Sequence, residues 1–87
     1  MKNQEIARTF YEISEFLEMY SVPFKPHAYQ KAALTLETLK DDIGEIYRSG
    51  GIKGLKEIPN IGENIAKKIE EILTTGKLRH YEEFKTP

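Results

Sequence analysis

The chain has 87 residues, 39% of them hydrophobic, and 13 Lys/Arg against 14 Asp/Glu for a formal net charge of −1. That length bounds it to one small domain with a modest core, and the absence of cysteine excludes disulfides and thiolate metal sites and fits a reducing compartment. No apolar run reaches the ~18 residues of a membrane span and the amino terminus has no signal-peptide apolar region, so a soluble, intracellular protein with no membrane partner is expected, cytoplasmic or, in a prokaryote, nucleoid-associated; a monomer is expected as well.

In chain order, the first predicted helix runs from Asn3, read as its N-cap, to about Tyr20. Ile6, Phe10, Ile13, Leu17 and Tyr20 recur along it at helical spacing, with charges on the opposite face. Ser21-Val22-Pro23-Phe24-Lys25-Pro26 breaks the pattern, because prolines remove donors and push the preceding residues toward extended backbone. A second helix is predicted from Pro26 or His27 to Leu39, carrying Tyr29, Ala32, Ala33 and Leu36. Asp41 and Asp42 then open a short third helix, which Ser49-Gly50-Gly51 terminates. Gly51 to Lys56 is short enough for a single further helix. Another starts near Glu63 with Ile65, Ile69 and Ile72 on one face, beside Ala66 and Leu73, and Gly76 marks its stop. Leu78 to Phe84 can form one more. Nothing alternates with period two. The expected fold is all-α, a compact bundle of about four to six short helices, and the abrupt end at Thr86-Pro87 suggests that residues 1–87 are one domain of a longer protein.

The stretch that says most is Ile58-Pro59-Asn60-Ile61-Gly62, followed directly by an amphipathic helix. Pro59 fixes φ, and asparagine is among the few residues that tolerate the left-handed region, so Asn60 can turn the chain. Gly62 is expected to take a conformation closed to most residues. The helix beginning at Glu63 then aims its unpaired N–H groups back at the turn, which makes a seat for an anion. The spacing is that of a helix-hairpin-helix, which grips a nucleic-acid strand by its backbone, with Asn60 where the motif has its first glycine. The alternative is a turn that merely links two helices. Against nucleic-acid binding stands the weak net charge, since such domains usually carry a basic excess. Distribution softens that objection: residues 1–49 hold six Lys/Arg against eight Asp/Glu, and residues 50–87 hold seven against six.

Three separated segments carry a wider resemblance: Phe24-Lys25-Pro26-His27-Ala28-Tyr29-Gln30-Lys31-Ala32-Ala33, the hairpin with Ile65-Ala66-Lys67-Lys68-Ile69, and Thr75-Gly76-Lys77-Leu78. Together they resemble the amino-terminal eight-kilodalton domain of family X DNA polymerases, the DNA polymerase beta-like family, and especially its bacterial and archaeal branch. The resemblance implies non-sequence-specific binding of DNA backbone in repair, on the 5′-phosphate side of a gap, with gapped, nicked or single-stranded template DNA as partner. It places DNA contacts at Lys25, Lys31, Lys56, Asn60, Ile61, Gly62, Asn64, Lys67 and Lys68. It implies no cofactor in this domain, apart from Na+ or K+ held at the hairpin by the backbone carbonyls of Lys56, Ile58 and Ile61. In the animal enzymes the domain is also a 5′-deoxyribose-phosphate lyase. The Schiff-base lysine of that reaction corresponds to Lys68, and its supporting tyrosine to Tyr29. The chain departs from the pattern at Asn64 and His80, where the family has lysines, and at Phe24, where it has a histidine, so the lyase pocket is less basic here. A third reading is a hairpin that mediates protein contacts.

Each of these residues also has a plainer reading. On the helical wheel Lys68 falls at the edge of the core face and Lys67 toward solvent, so Lys68 can simply cover the core edge with its methylenes. Tyr29, among alanines, reads equally as a core tyrosine. Phe24 either plugs the core or stacks on a base. His27 and His80 are too scattered for a metal site, and Asp41-Asp42 reads as a helix start.

Overall fold

Spaced three and four apart, Ile6, Phe10 and Ile13 give helix α1 (Lys2–Met19) a single apolar face, and all three are buried. The computed structural model describes residues 2–19 and 25–78, which fold as four helices with no strand among the described residues. Helix α2 (Lys25–Thr38) supplies Tyr29, Ala32, Ala33 and Leu36 to the same core. Its pairing with α1 is the most extensive among the described helices. Tyr29 meets Phe10 edge to face, with ring centroids 5.4 Å apart and planes at 72°, the arrangement that aromatic quadrupoles favour. Helices α3 (Ile43–Lys56) and α4 (Glu63–Thr75) make a second pair, and α1 touches α3. None of the described helices is long and apolar enough to cross a membrane.

One helix boundary is corrected and one is borne out. Asn3 is not the N-cap of α1: it lies inside the helix, buried, and its side chain reaches the start of α3. The third helix and the short helix after it follow one another within α3 and are separated where Ser49-Gly50-Gly51 predicts, at Gly51, whose φ of 62° and ψ of −153° are non-helical and open in practice to glycine. The break lets the second half of α3 fold close to the first. A Cβ added to Gly54 would sit 3.2 Å from the Ile46 carbonyl oxygen.

Local signals placed the remaining boundaries well. Asp42 is the N-cap of α3, its Oδ2 accepting the Glu45 amide at 3.3 Å. Gly76 ends α4 in the left-handed region at φ 81°, its amide donating to the Ile72 carbonyl at 2.8 Å. Helix α2 starts at Lys25, a residue or two before the predicted start; Pro26 fits there because first-turn amides have no helical acceptor to lose. Across α3 and α4, the Tyr47 hydroxyl donates to Glu70 Oε2 at 2.6 Å, and that bond pushes the phenol's ionisation upward. Tyr20, Phe24, His80 and the helix expected from Leu78 to Phe84 lie outside the described residues, except Leu78 itself, which is buried.

Candidate nucleic-acid interface

The hairpin is built by turn bonds and two apolar anchors. As α3 ends, the Glu57 amide donates to the Gly54 carbonyl at 3.3 Å and the Ile58 amide to the Leu55 carbonyl at 3.1 Å. Ile58 and Ile61 are buried, 7% and 3% exposed, while Pro59 and Asn60 between them face solvent. The apolar-Pro-x-apolar pattern therefore pins both sides of the turn into the core and presents its tip outward. At the tip Asn60 takes φ 68°, the left-handed region that its sequence position demanded. Its Nδ2 also donates to Thr35 Oγ1 on α2 at 3.0 Å. That tie holds the tip against a second element.

Gly62 behaves differently from expectation. It is extended, at φ −88° and ψ −174°, a conformation open to any residue, and a Cβ built on it would meet nothing within 4 Å. Its glycine is not required by the backbone; the left-handed step has already been made at Asn60. Its consequence lies at the next helix. Gly62 is the N-cap of α4 and has no side chain to cap with, so the first α4 amide bonded backward is that of Ala66, which donates to the Gly62 carbonyl at 2.8 Å. The amides of Glu63, Asn64 and Ile65 have no intrahelical acceptor. Among Asn60, Ile61 and Gly62, the expected DNA contacts of the turn, the Ile61 amide is committed to the Ile58 carbonyl at 3.1 Å. The first-turn amides of α4 therefore stand beside those of Asn60 and Gly62 as candidate donors.

A family model for the helix-hairpin-helix domain matches residues 1–78. The chain belongs to that family. No curated protein matches it. Helix-hairpin-helix membership carries nucleic-acid binding or protein interaction as the general class of function.

Around the helix-hairpin-helix turn the cations are unevenly placed. Lys56 and Glu63 flank the hairpin and pair at 3.7 Å, both well exposed, so this contact is weak and screened by salt. On α4, Lys67 is exposed, Lys68 half-buried and Asn64 exposed. Lys31 is exposed on α2 and lines a groove of about 360 Å³ together with His27, Ala28 and Asn60. The structure therefore brings Lys31 to the hairpin tip, where sequence separation gave no hint of it. Lys25 opens α2, and its side chain lies outside the described set.

Tyr29 sits in the core, 8% exposed, and burial pushes its ionisation up to about 12. It stays a neutral phenol at physiological pH and cannot serve there as a base. Among the described residues no cluster of three or more His, Asp or Glu could hold a metal ion. The carbonyls of Lys56, Ile58 and Ile61 are neutral oxygen donors, the type that suits a hard monovalent cation, and the Ile58 oxygen, which accepts the Ile61 amide, keeps a second lone pair. Thr35 and His27 were not among the sequence candidates; Thr35 carries no local signal, whereas the four-residue step from His27 to Lys31 puts both on one face of a helix.

Proposed function

We propose that this chain binds the DNA backbone without sequence preference, seating a phosphate on the first-turn amides of α4. The observation that carries the reading is the uncapped α4 N-terminus at Gly62, held outward by a hairpin whose Ile58 and Ile61 are locked in the core. Unpaired amides and the positive end of the helix dipole favour an anion there. Lys67, Lys68 and Asn64 follow along the same helix and Lys31 stands beside Asn60, so a strand passing the hairpin meets several donors in succession. Amides and lysines read phosphate and not base edges. The preferred substrate is gapped DNA with a 5′-phosphate, and the parent protein is a family X polymerase of DNA repair, a monovalent cation on the Lys56, Ile58 and Ile61 carbonyls stiffening the turn.

The test is amide chemical-shift mapping with gapped DNA, paired with a salt titration. The largest changes should fall at residues 60–65, and affinity should drop steeply with salt and vary little with sequence. Changes centred on α1, or affinity indifferent to salt, would turn the reading toward a protein partner.

A second reading rests on Lys68, a half-buried amine on the helix that the hairpin feeds. Such an amine can attack the C1′ aldehyde of an abasic sugar, losing water to form an imine that borohydride reduces to a stable adduct. With Asn64 in place of a lysine, trapping should be slow, and Lys68→Ala should abolish it. Trapping that survives Lys68→Ala would move the nucleophile to Lys67 or Lys31.

A further inference from the structure

Three surface grooves differ in charge. One, between the start of α3 and its kink, is lined by Asp41, Asp42, Glu45 and Glu57, and a second, beside Lys2 and Arg48, includes Asp42. The third, of about 360 Å³ between α2 and the hairpin tip, is lined by His27, Ala28, Lys31 and Asn60, and among the described residues no carboxylate lines it. In a chain with a net charge of −1, a groove whose described lining holds a lysine and no acid is a local reversal of the overall balance.

We propose that this groove seats a second backbone phosphate of the strand held at the α4 N-terminus, and that His27 adds its charge to the contact only when protonated. The proposal rests on the DNA-binding reading above and adds a pH-dependent subsite to it. His27 and Lys31 are both exposed and one helical turn apart, so their side chains project over the same wall. Asn60 forms the opposite wall. With one Nδ2 proton given to Thr35 Oγ1, its side-chain amide is held in place and keeps a second N–H. Ala28, also exposed, lines the groove with a side chain of one methyl group.

The groups around His27 support a histidine-controlled contact. Lys31 shares the groove from α2, and the hairpin contributes uncharged Asn60; of the hairpin's charged residues, Lys56 and Glu63 pair with each other and Glu57 lines the acidic groove by the α3 kink. From α1, Glu18 is engaged by Gln30, whose Nε2 donates to Glu18 Oε1 at 2.7 Å, one turn from His27. Among the described residues no carboxylate lines the groove itself. A phosphate entering the groove meets His27 and Lys31 together, and histidine is the side chain whose charge ordinarily changes between about pH 5 and about pH 8.

The experiment measures binding of a fluorescein-labelled gapped oligonucleotide by the full chain at about pH 5.5 and about pH 8, at matched ionic strength. The parent should bind about five-fold tighter at the lower pH, with a salt slope larger by about 0.7 to 0.9, as for one added phosphate contact. His27→Gln should remove the pH difference and keep the affinity seen at the higher pH, with an unchanged helical spectrum. Lys31→Ala should weaken binding at both pH values. His80→Gln, which changes the other histidine, should leave the pH difference intact. A pH difference that persists in His27→Gln, or disappears in His80→Gln, overturns the proposal. Salt-dependent binding that is lost in Gly62→Val but flat with pH in the parent overturns the groove and leaves the hairpin reading standing. Absence of DNA binding at both pH values overturns both.

Discussion

Asn3 Oδ1 accepts the amide of Ile43 at 2.7 Å, joining the first turn of α1 to the first turn of α3 across forty positions of sequence. The same side chain donates through Nδ2 to the Asp41 carbonyl at 2.8 Å. Asn3 thus does for α3, from another helix, what an N-cap does locally, while Asp42 caps the same end from within the chain at Glu45. Both N-terminal donors of α3 named here have acceptors, whereas the α4 N-terminus has no side-chain cap. The difference separates a structural helix end from one available to a ligand.

Asn3→Ala should therefore destabilise the fold by about 1–3 kcal/mol, because the Ile43 amide is left buried without an acceptor. Urea unfolding checks it, as a lower midpoint at constant slope. A loss under about 0.5 kcal/mol, the range of ordinary surface substitutions, would mean that water replaces the side chain.

The two central glycines of α3 should respond with opposite signs. Gly51→Ala forces a Cβ onto φ 62° and ψ −153° and should cost about 1–3 kcal/mol even though the space is open. Gly50 has no positive φ and nothing within 4 Å of an added Cβ, so Gly50→Ala should stabilise by about 0.4–1 kcal/mol. Thermal melts of the two variants decide it. A destabilised Gly50→Ala would show that the pair acts as one flexible unit.

What the sequence disclosed followed the range of the interaction involved. Asp42 to Glu45, Gly76 to Ile72 and the left-handed Asn60 are each set by residues within four positions, so composition alone located them. Asn3 was misassigned because a polar residue at a helix start looks like a local cap, and its true acceptor role depends on how α1 docks on α3. Gly62 was misread for another reason: glycine permits unusual backbone but does not reveal whether the chain uses it. The groove of His27, Lys31 and Asn60 exists only once α2 packs beside the hairpin, through the Asn60 to Thr35 bond.

Alkaline stability should report on Tyr29. Its ionisation is raised by burial to about 12 from the ordinary 10.0, so above about pH 10 the unfolded chain releases a proton that the folded chain retains. The contribution is present in full below about pH 10 and is lost as pH rises toward about 12. Tyr11 and Tyr47 shift the same way through hydrogen bonds to Glu37 and Glu70, so the parent alone does not isolate one phenol. Tyr29→Phe keeps the edge-to-face contact with Phe10 and should flatten part of the decline. Unfolding curves at about pH 9 and about pH 11 compare the two; equal declines would place the Tyr29 hydroxyl in water.

Gly62→Ser separates helix stability from ligand binding at one position. There is room for the side chain, since an added Cβ meets nothing within 4 Å, and the extended backbone at Gly62 is the one an N-cap serine adopts. The serine Oγ would accept an amide from the first turn of α4, so the fold should gain roughly 0.5 kcal/mol from capping and from a less flexible unfolded chain. DNA affinity should move the other way. The amide taken by Oγ is one that the phosphate needs, and a hydrogen bond to a charged group is worth about 1.5–3 kcal/mol, so binding should weaken roughly ten-fold or more. Gly62→Ala supplies the Cβ without the acceptor and separates crowding from capping. If Gly62→Ser is more stable and binds DNA as well as the parent, the α4 amides are not the phosphate seat. If Gly62→Ala weakens binding as much as Gly62→Ser, the glycine is needed for close approach of the strand and not for open donors.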